Sequence, residues 1–440
     1  NYPGCDDTQS ICCFVQTDHR DFGVRLSDVN GDGLVDIIKA YVQSNGQGLS
    51  QVYLNNGTGW TNPSDIWSNN YPECNTQNTH GCYISSIASG KRDLGVRLSD
   101  VNGDGLVDVI KANMSQTAGG SYQIIGFSRI WLNNGHGWEL STMWSDNYPE
   151  CDDQSARGCF VEMFNYNDEG VRLSDVNGDG LVDVIKANTS QIAGGSYPFV
   201  GFSRIWLNNG TGWVYSSMWS DNYPGCDDQS AHGCFVTYTK KDTGARLTDI
   251  NGDGLIDVIQ ANSSQTAGGT YPIKGSSTAW LNNGTGWVMS NTWSDNYPEC
   301  NNERVYGCFI TYDEKDWGVR LADINGDGLV DVIKANTSDH TGFSKVFVNK
   351  GRANYLLKNI NLSFGGGISL DYRKSTDLDN RGNDGVSDLN FNLWLVFNIT
   401  KDNSINGAQN TLSSYIYNFS DGLYDYNDSE FRGFNFAEEK

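Results

Sequence analysis

Hydrophobic residues in this chain come in short runs between polar turns, and the runs return in a fixed order. Leu106 to Ala112 (LVDVIKA) is almost continuously apolar, as an inner strand buried on both faces should be. Arg204 to Leu207 (RIWL) reads as the next strand, and Asn208-Asn209-Gly210 ends it with a strong turn signal. Asn-Tyr-Pro-x-Cys begins at Asn1, Asn70, Asn147, Asn222 and Asn296, a period of 69 to 77 residues. Each of the five units then holds a Cys pair, G-[VA]-R-L-x-D, N-G-D-G-L-[VI]-D-[VI]-I and an aromatic-aliphatic run. An Asn-Asn-Gly turn and a Gly-Trp pair close units one to four, whereas unit five ends Phe347-Val348-Asn349-Lys350-Gly351. Several short strands per unit, repeated five times, predict an all-β fold, a β-propeller of about 75-residue blades. A linear β-solenoid is the alternative, although its repeats are usually far shorter.

Composition narrows the partners. The 440 residues carry 53 acidic and 30 basic side chains, a net charge of -23. Nucleic acid and anionic membrane would be repelled, whereas cations would be attracted. The 51 glycines, 13 tryptophans and 22 tyrosines fit turn-rich β structure. No apolar stretch is long enough to span a membrane in this chain. There is no signal peptide, and Asn1 already sits inside a repeat, so the start reads as a processing point or a cut in a longer chain.

The acidic loops carry the most specific chemistry. Positions 1, 3, 5 and 9 are Asp28, Asn30, Asp32 and Asp36 in the first, and Asp100, Asn102, Asp104 and Asp108 in the second. They are Asp175, Asn177, Asp179 and Asp183 in the third, and Asp249, Asn251, Asp253 and Asp257 in the fourth. The fifth has Asp323, Asn325, Asp327 and Asp331. The carbonyls of Leu34, Leu106, Leu181, Leu255 and Leu329 would serve position 7. A hard cation wants six to eight oxygens, and the glycine at position 6 lets the backbone wrap around it. An EF-hand needs Glu at position 12, where this chain has Lys39, Lys111, Lys186, Gln260 and Lys334 between strand-like flanks. A plain β-turn without metal is the bland reading, but three carboxylates within nine residues repel without a cation. About five Ca²⁺, one per repeat, are expected in preference to Mg²⁺.

These units resemble FG-GAP/VCBS repeats, the calcium-binding blades of integrin-α-like β-propellers, over roughly residues 20 to 352. The resemblance implies a structural ion that pins the turn between two blade strands.

Cysteines pair at a spacing of eight: Cys5/Cys13, Cys74/Cys82, Cys151/Cys159, Cys226/Cys234 and Cys300/Cys308. One local disulfide per unit implies an oxidising compartment and an extracellular or cell-surface location. Cys12 is left as a free thiol or an intermolecular link. Zinc lacks both the short cysteine spacing and a matching histidine set. Sequons occur at Asn56, Asn113, Asn188, Asn209, Asn262, Asn283, Asn336, Asn361, Asn398, Asn418 and Asn427. Each is a candidate glycosylation site or a plain turn.

Arg25, Arg97, Arg172, Arg246 and Arg320 could form a ligand-gripping basic ring, or pair with neighbouring acidic loops or strand ends. Trp60, Trp138, Trp213 and Trp287 could form a carbohydrate platform, or pack between blades. The five histidines share no consistent repeat position, and no nucleophile elbow, phosphate loop or zinc-protease motif occurs. No active site is read, and the chain is not expected to be an enzyme. Long loops at Asn113 to Ser128, Asn188 to Ser203 and Asn262 to Ser277 give one rim an asymmetric surface for a protein or glycan partner.

Residues 1–352 are thus read as the propeller and 353–440 as a β-rich C-terminal segment. Strands are expected over Leu356 to Ile360, Ile368 to Tyr372, Trp394 to Ile399 and Ser414 to Phe419. This segment resembles the region after the propeller in Rhs/YD-repeat proteins and the B component of insecticidal Tc toxins. The resemblance rests on Leu356-Leu357-Lys358-Asn359-Ile360, Gly365 to Tyr372, Gly422-Leu423-Tyr424-Asp425 and Glu430-Phe431-Arg432-Gly433-Phe434. It implies a docking or gating module at the front of a larger protein. A structural subunit of an extracellular glycoprotein filament or coat, with self-association, is the alternative, and a glycan-active enzyme the third reading.

Overall fold

Short runs of buried residues and left-handed glycine turns make the second, third and fourth repeats small antiparallel sheets. The first repeat's strands Val24–Ser27, Asp36–Val42 and Gly48–Tyr53 instead share a five-stranded sheet with Ile84–Ala88 and Gly90–Asp93, in which Asp36–Val42 pairs Ile84–Ala88 in parallel. The computed structural model describes residues 21–32, 34–56, 59–88, 90–116, 124–151, 157–162, 167–191, 199–226, 232–265, 273–301, 304–311, 315–325, 329–338, 341–350, 356–363, 365–379, 389, 393–403, 412–425 and 430–440. In the second repeat, strands Val96–Ser99, Asp108–Gln116, Ile124–Asn133 and Trp138–Ser141 lie side by side in chain order. The third repeats this with Val171–Ser174, Asp183–Gln191, Phe199–Asn208 and Trp213–Tyr215, and the fourth with Ala245–Thr248, Asp257–Gln265, Ile273–Asn282 and Trp287–Met289. Val319–Ala322, Asp331–Ser338 and Thr341–Phe347 form a three-stranded sheet. The fold is all-β and propeller-like, as the pattern predicts.

The expected inner strand is present, but it starts at Asp108 rather than Leu106. Val109, Ile110 and Ala112 are fully buried, and so nearly is Lys111. Leu106 and Val107 belong to the acidic loop instead. In every repeat that loop joins the first two strands, with Ser99 paired to Asp108 and Ser174 to Asp183 at its base.

One element is absent from the sequence reading. Asp65–Asn69, Thr142–Asp146, Ser217–Asp221 and Asn291–Asn296 are single-turn helices. Ser64, Ser141, Ser216 and Ser290 cap them by accepting the backbone N–H of the tryptophan three residues on.

Two compact units emerge from the packing. The first comprises Asn1–Thr248, Leu255–Val319 and Lys334–Gly342, and the second Asp249–Gly254, Arg320–Ile333 and Phe343–Lys440. In the first, three apolar clusters each draw on two successive repeats, as when Val101, Ile110 and Trp144 join Val171, Val184 and Trp213. The second contains a five-stranded meander of Asn359–Asn361, Gly367–Lys374, Trp394–Asp402, Leu412–Asp425 and Glu430–Glu439. Most of its described side chains are only half-buried.

Candidate metal loops and the joints between repeats

Each acidic loop curls its side chains back onto its own backbone. In the second repeat, Asp100 Oδ1 accepts the N–H of Gly103 at 2.8 Å and of Asp104 at 3.2 Å, and Oδ2 that of Gly105 at 2.8 Å. Asn102 donates its amide to Asp104 Oδ2 at 2.8 Å, and Leu106 N–H donates to Asp104 Oδ1 at 2.9 Å. Gly103 and Gly105 take φ of 75° and 85°, a region that penalises side chains. The same bonds tie Gly31 to Asp28, Gly178 and Gly180 to Asp175, and Gly252 and Gly254 to Asp249. In the fifth loop Asp323, Asn325, Leu329 and Asp331 are described, and Asp327 lies outside the described residues.

The aspartate at position 9 behaves differently. Asp36, Asp108, Asp183, Asp257 and Asp331 are fully buried. Asp108 accepts Val101 N–H at 2.9 Å and Asn133 N–H at 2.8 Å, so one carboxylate ties the loop to the third strand. Burial pushes Asp36, Asp108 and Asp183 up to about 7, and the neighbouring loop carboxylates push the same way. The donor set is all oxygen, which suits a hard cation, and an oxygen that accepts one N–H keeps a second lone pair. In this conformation, however, the carboxylates serve the loop's own amides. Among the described residues no group of three His, Cys, Asp or Glu side chains is arranged to hold a metal ion.

The loops also form the joints between repeats. Asn133 donates its side-chain amide to Val29 O at 2.8 Å, in the loop of the preceding repeat, and to Val107 O of its own at 3.2 Å. Asn208 does the same to Val101, Asn282 to Val176 and Asn349 to Ile250. Leu106 meanwhile rests on Gly31, Leu181 on Gly103 and Leu255 on Gly178. A Cβ on any of these glycines would sit 2.8 to 2.9 Å from the leucine. Leu106, Leu181 and Leu255, whose carbonyls are the expected position-7 donors, thus also use their side chains to seat one loop on the next.

Arginines and disulfides recur at all four joints, and paired tryptophans at the first three. Arg97 holds Asp93 through two bonds of 3.0 and 2.8 Å and lies over the Phe160 ring of the next repeat. Arg25, Arg172 and Arg246 do likewise with Asp21, Asp168 and Asp242, beneath Tyr83, Phe235 and Phe309. They pair with the aspartate four residues earlier rather than forming a ligand ring. Trp213 meets Trp144 and Tyr148 edge-on at 5.1 and 5.5 Å and donates to Val182 O. Trp138 and Trp287 are equally buried, so these three pack between sheets and offer no sugar platform, while Trp60 is half-buried. Disulfides link Cys74–Cys82, Cys151–Cys159, Cys226–Cys234 and Cys300–Cys308. Cys5, Cys12 and Cys13 lie outside the described residues, as do positions 117–123, 192–198 and 266–272 of the three long loops.

The sequons divide by exposure. Asn56, Asn209, Asn283 and Asn361 are exposed, and Asn113, Asn262, Asn398 and Asn418 half-buried. Asn188 is 7% exposed and donates its amide to Glu169 O. The Asn336 side chain and all of Asn427 lie outside the described residues.

Lysines fill the position where an EF-hand would have Glu. Lys39, Lys111, Lys186 and Lys334 are buried: Lys111 reaches Leu94 O, Lys334 reaches Trp317 O, and Lys186 pairs with Glu169 at 3.2 Å. Among the described residues no helix is long and apolar enough to cross a membrane.

Residues 309–440 match a known family. Its description is "Insecticide toxin TcdB middle/N-terminal region". The matched stretch runs from the fifth repeat through the C-terminal meander, where the sequence resemblance to Tc toxin B components also lies. A T-cell immunomodulatory protein homolog of Plasmodium falciparum (isolate 3D7) is 24% identical over 261 residues, covering 57% of this chain and 30% of that protein. The chain thus spans less than a third of that relative. Among solved structures, TcdB2-TccC3 aligns at 17% identity over 94% of this chain and 19% of its own, with a TM-score of 0.42. A fructofuranosidase from Schwanniomyces occidentalis complexed with fructose aligns at 10% identity over 94% and 88%, with a TM-score of 0.29. Superpositions this loose carry no functional argument.

Proposed function

We propose that this chain is a non-catalytic, extracellular recognition or docking module, stabilised by calcium, at the front of a larger Rhs/YD-like protein. The match of residues 309–440 to the TcdB region carries this reading. Four disulfides favour an oxidising compartment. Five acidic loops with oxygen-only donors favour a calcium ion in each repeat, where it would relieve the repulsion among three carboxylates. The partner would be a protein or glycan at the rim carrying the long loops.

Peptide sequencing of the natively sourced protein tests the reading. Peptides that continue past Lys440 into tyrosine–aspartate repeats support it. A native chain that stops at Lys440 and is released alone overturns the larger-protein assignment.

A further inference from the structure

In repeats two to four, a reactive dipeptide sits beside the residue that fastens the joint. Asn134-Gly135, Asn209-Gly210 and Asn283-Gly284 directly follow Asn133, Asn208 and Asn282. An Asn-Gly pair can cyclise, because the glycine has no Cβ to keep its nitrogen from the asparagine side chain. The glycine nitrogen attacks Cγ, and the proton it gives up leaves with the carboxamide nitrogen as ammonia. Water then opens the resulting succinimide at either carbonyl, giving aspartate or isoaspartate.

The folded turn withholds both reacting groups. Gly135, Gly210 and Gly284 each donate their N–H at 2.9 Å to the Oδ1 of Asn133, Asn208 and Asn282. The side-chain oxygens of Asn134, Asn209 and Asn283 accept the N–H two residues on, at 3.0 Å. Water has free access, since these three asparagines are exposed and nothing lies within 4 Å of a Cβ built on any of the three glycines. Asn133, Asn208 and Asn282 are themselves only 3% exposed. Their amide nitrogens donate across the joint to the carbonyls of Val29, Val101 and Val176. One side chain thus holds both joint and turn, so a joint that opens releases the glycine N–H.

We propose that Asn134, Asn209 and Asn283 are sites of spontaneous self-modification, kept closed by Asn133, Asn208 and Asn282 for as long as each joint is shut. Isoaspartate lengthens the backbone of a tight turn, and either product adds a negative charge, so an opened joint is marked permanently. The fifth repeat has Lys350 in place of the second asparagine and lacks this site. The inference is independent of the toxin-like reading and of calcium, since it needs only the turns and the joints.

Peptide mapping after incubation at mildly alkaline pH tests the proposal. The 440-residue chain is made without glycosylation, so that the sequons Asn209 and Asn283 keep free carboxamides. The folded parent should form aspartate and isoaspartate at all three sites at least about tenfold more slowly than the same chain in urea. Asn208→Ala, compared with its own rate in urea, should speed Asn209 about tenfold and leave Asn134 and Asn283 at the parent's rate. A second measurement needs no variant. In the parent, at urea concentrations below the unfolding transition, reaction at each asparagine should rise in step with hydrogen exchange of the following glycine amide. Equal rates in folded and urea-unfolded parent overturn the proposal. So does a folded Asn208→Ala variant whose Asn209 reacts no faster than the parent's, or reaction that does not follow the exchange.

Discussion

The side-chain amide of Asn208 donates to the carbonyl of Val101, 107 residues earlier in the chain, at 2.8 Å. The same amide reaches Val182 O, its carbonyl oxygen accepts Gly210 N–H, and its own backbone N–H is held by Asp183. One small polar residue thus closes a turn, anchors a loop and fastens two repeats together. Asn208→Ala leaves several buried groups unpaired and should cost about 2–4 kcal/mol in chemical denaturation. Asn209→Ala, one residue on and exposed, should cost under about 0.5 kcal/mol. Equal losses would remove the special role given to Asn208.

Calcium should stabilise the chain through the loops. A chelator is expected to lower Tm, and metal analysis of the calcium-loaded protein should return about five ions per chain. Asp183→Asn replaces one acceptor facing a backbone N–H with a donor and weakens the third loop. It should lower Tm even with the chelator present and reduce the ion count by about one. An unchanged melt on adding chelator to metal-loaded protein would rule out a structural ion.

Lys111 makes stability depend on pH. Burial pushes its ammonium down to about 7 from the ordinary 10.5. Between these values the unfolded chain holds a proton that the folded chain lacks, so stability rises with pH across that window. Lys111→Met should flatten the rise measured by denaturation between pH 7 and 10, leaving what Lys186 and Lys334 contribute. If the slope is the same in both proteins, Lys111 is not the titrating group.

Glycan occupancy should follow exposure. Asn209 and Asn283 stand in exposed turns, where Thr211 and Thr285 hydroxyls donate to their side chains. Asn188 is buried with its amide already engaged. Glycopeptide mapping of the protein from a glycosylating host should find sugar at the first two and none at Asn188. A glycan on Asn188 would mean that this strand opens during maturation.

The repeat, its strands and its turns are legible in the sequence because each depends on neighbours within a few residues. The joints are not. Asn208 reads as the first residue of a turn, and nothing within ten positions reveals a bond to Val101. The position-9 aspartates look like a fourth loop ligand, yet their tie to the third strand depends on a residue 25 positions on. The helices are too short for a period to show. Serine three residues before tryptophan, as at Ser216 and Trp219, was nevertheless a readable capping signal. Lys111 at position 12 excluded an EF-hand, but its burial follows from the neighbouring sheets and not from its own strand.

Every joint described is completed by a residue 99 to 107 positions downstream. At a synthesis rate of about 5–20 residues per second, a newly made sheet waits for seconds before its successor arrives to cover it. The emerging chain therefore carries one bare aliphatic edge at its growing end, and that edge has the same chemistry at each repeat. Whatever shields one such edge during synthesis would meet the same chemistry at every repeat.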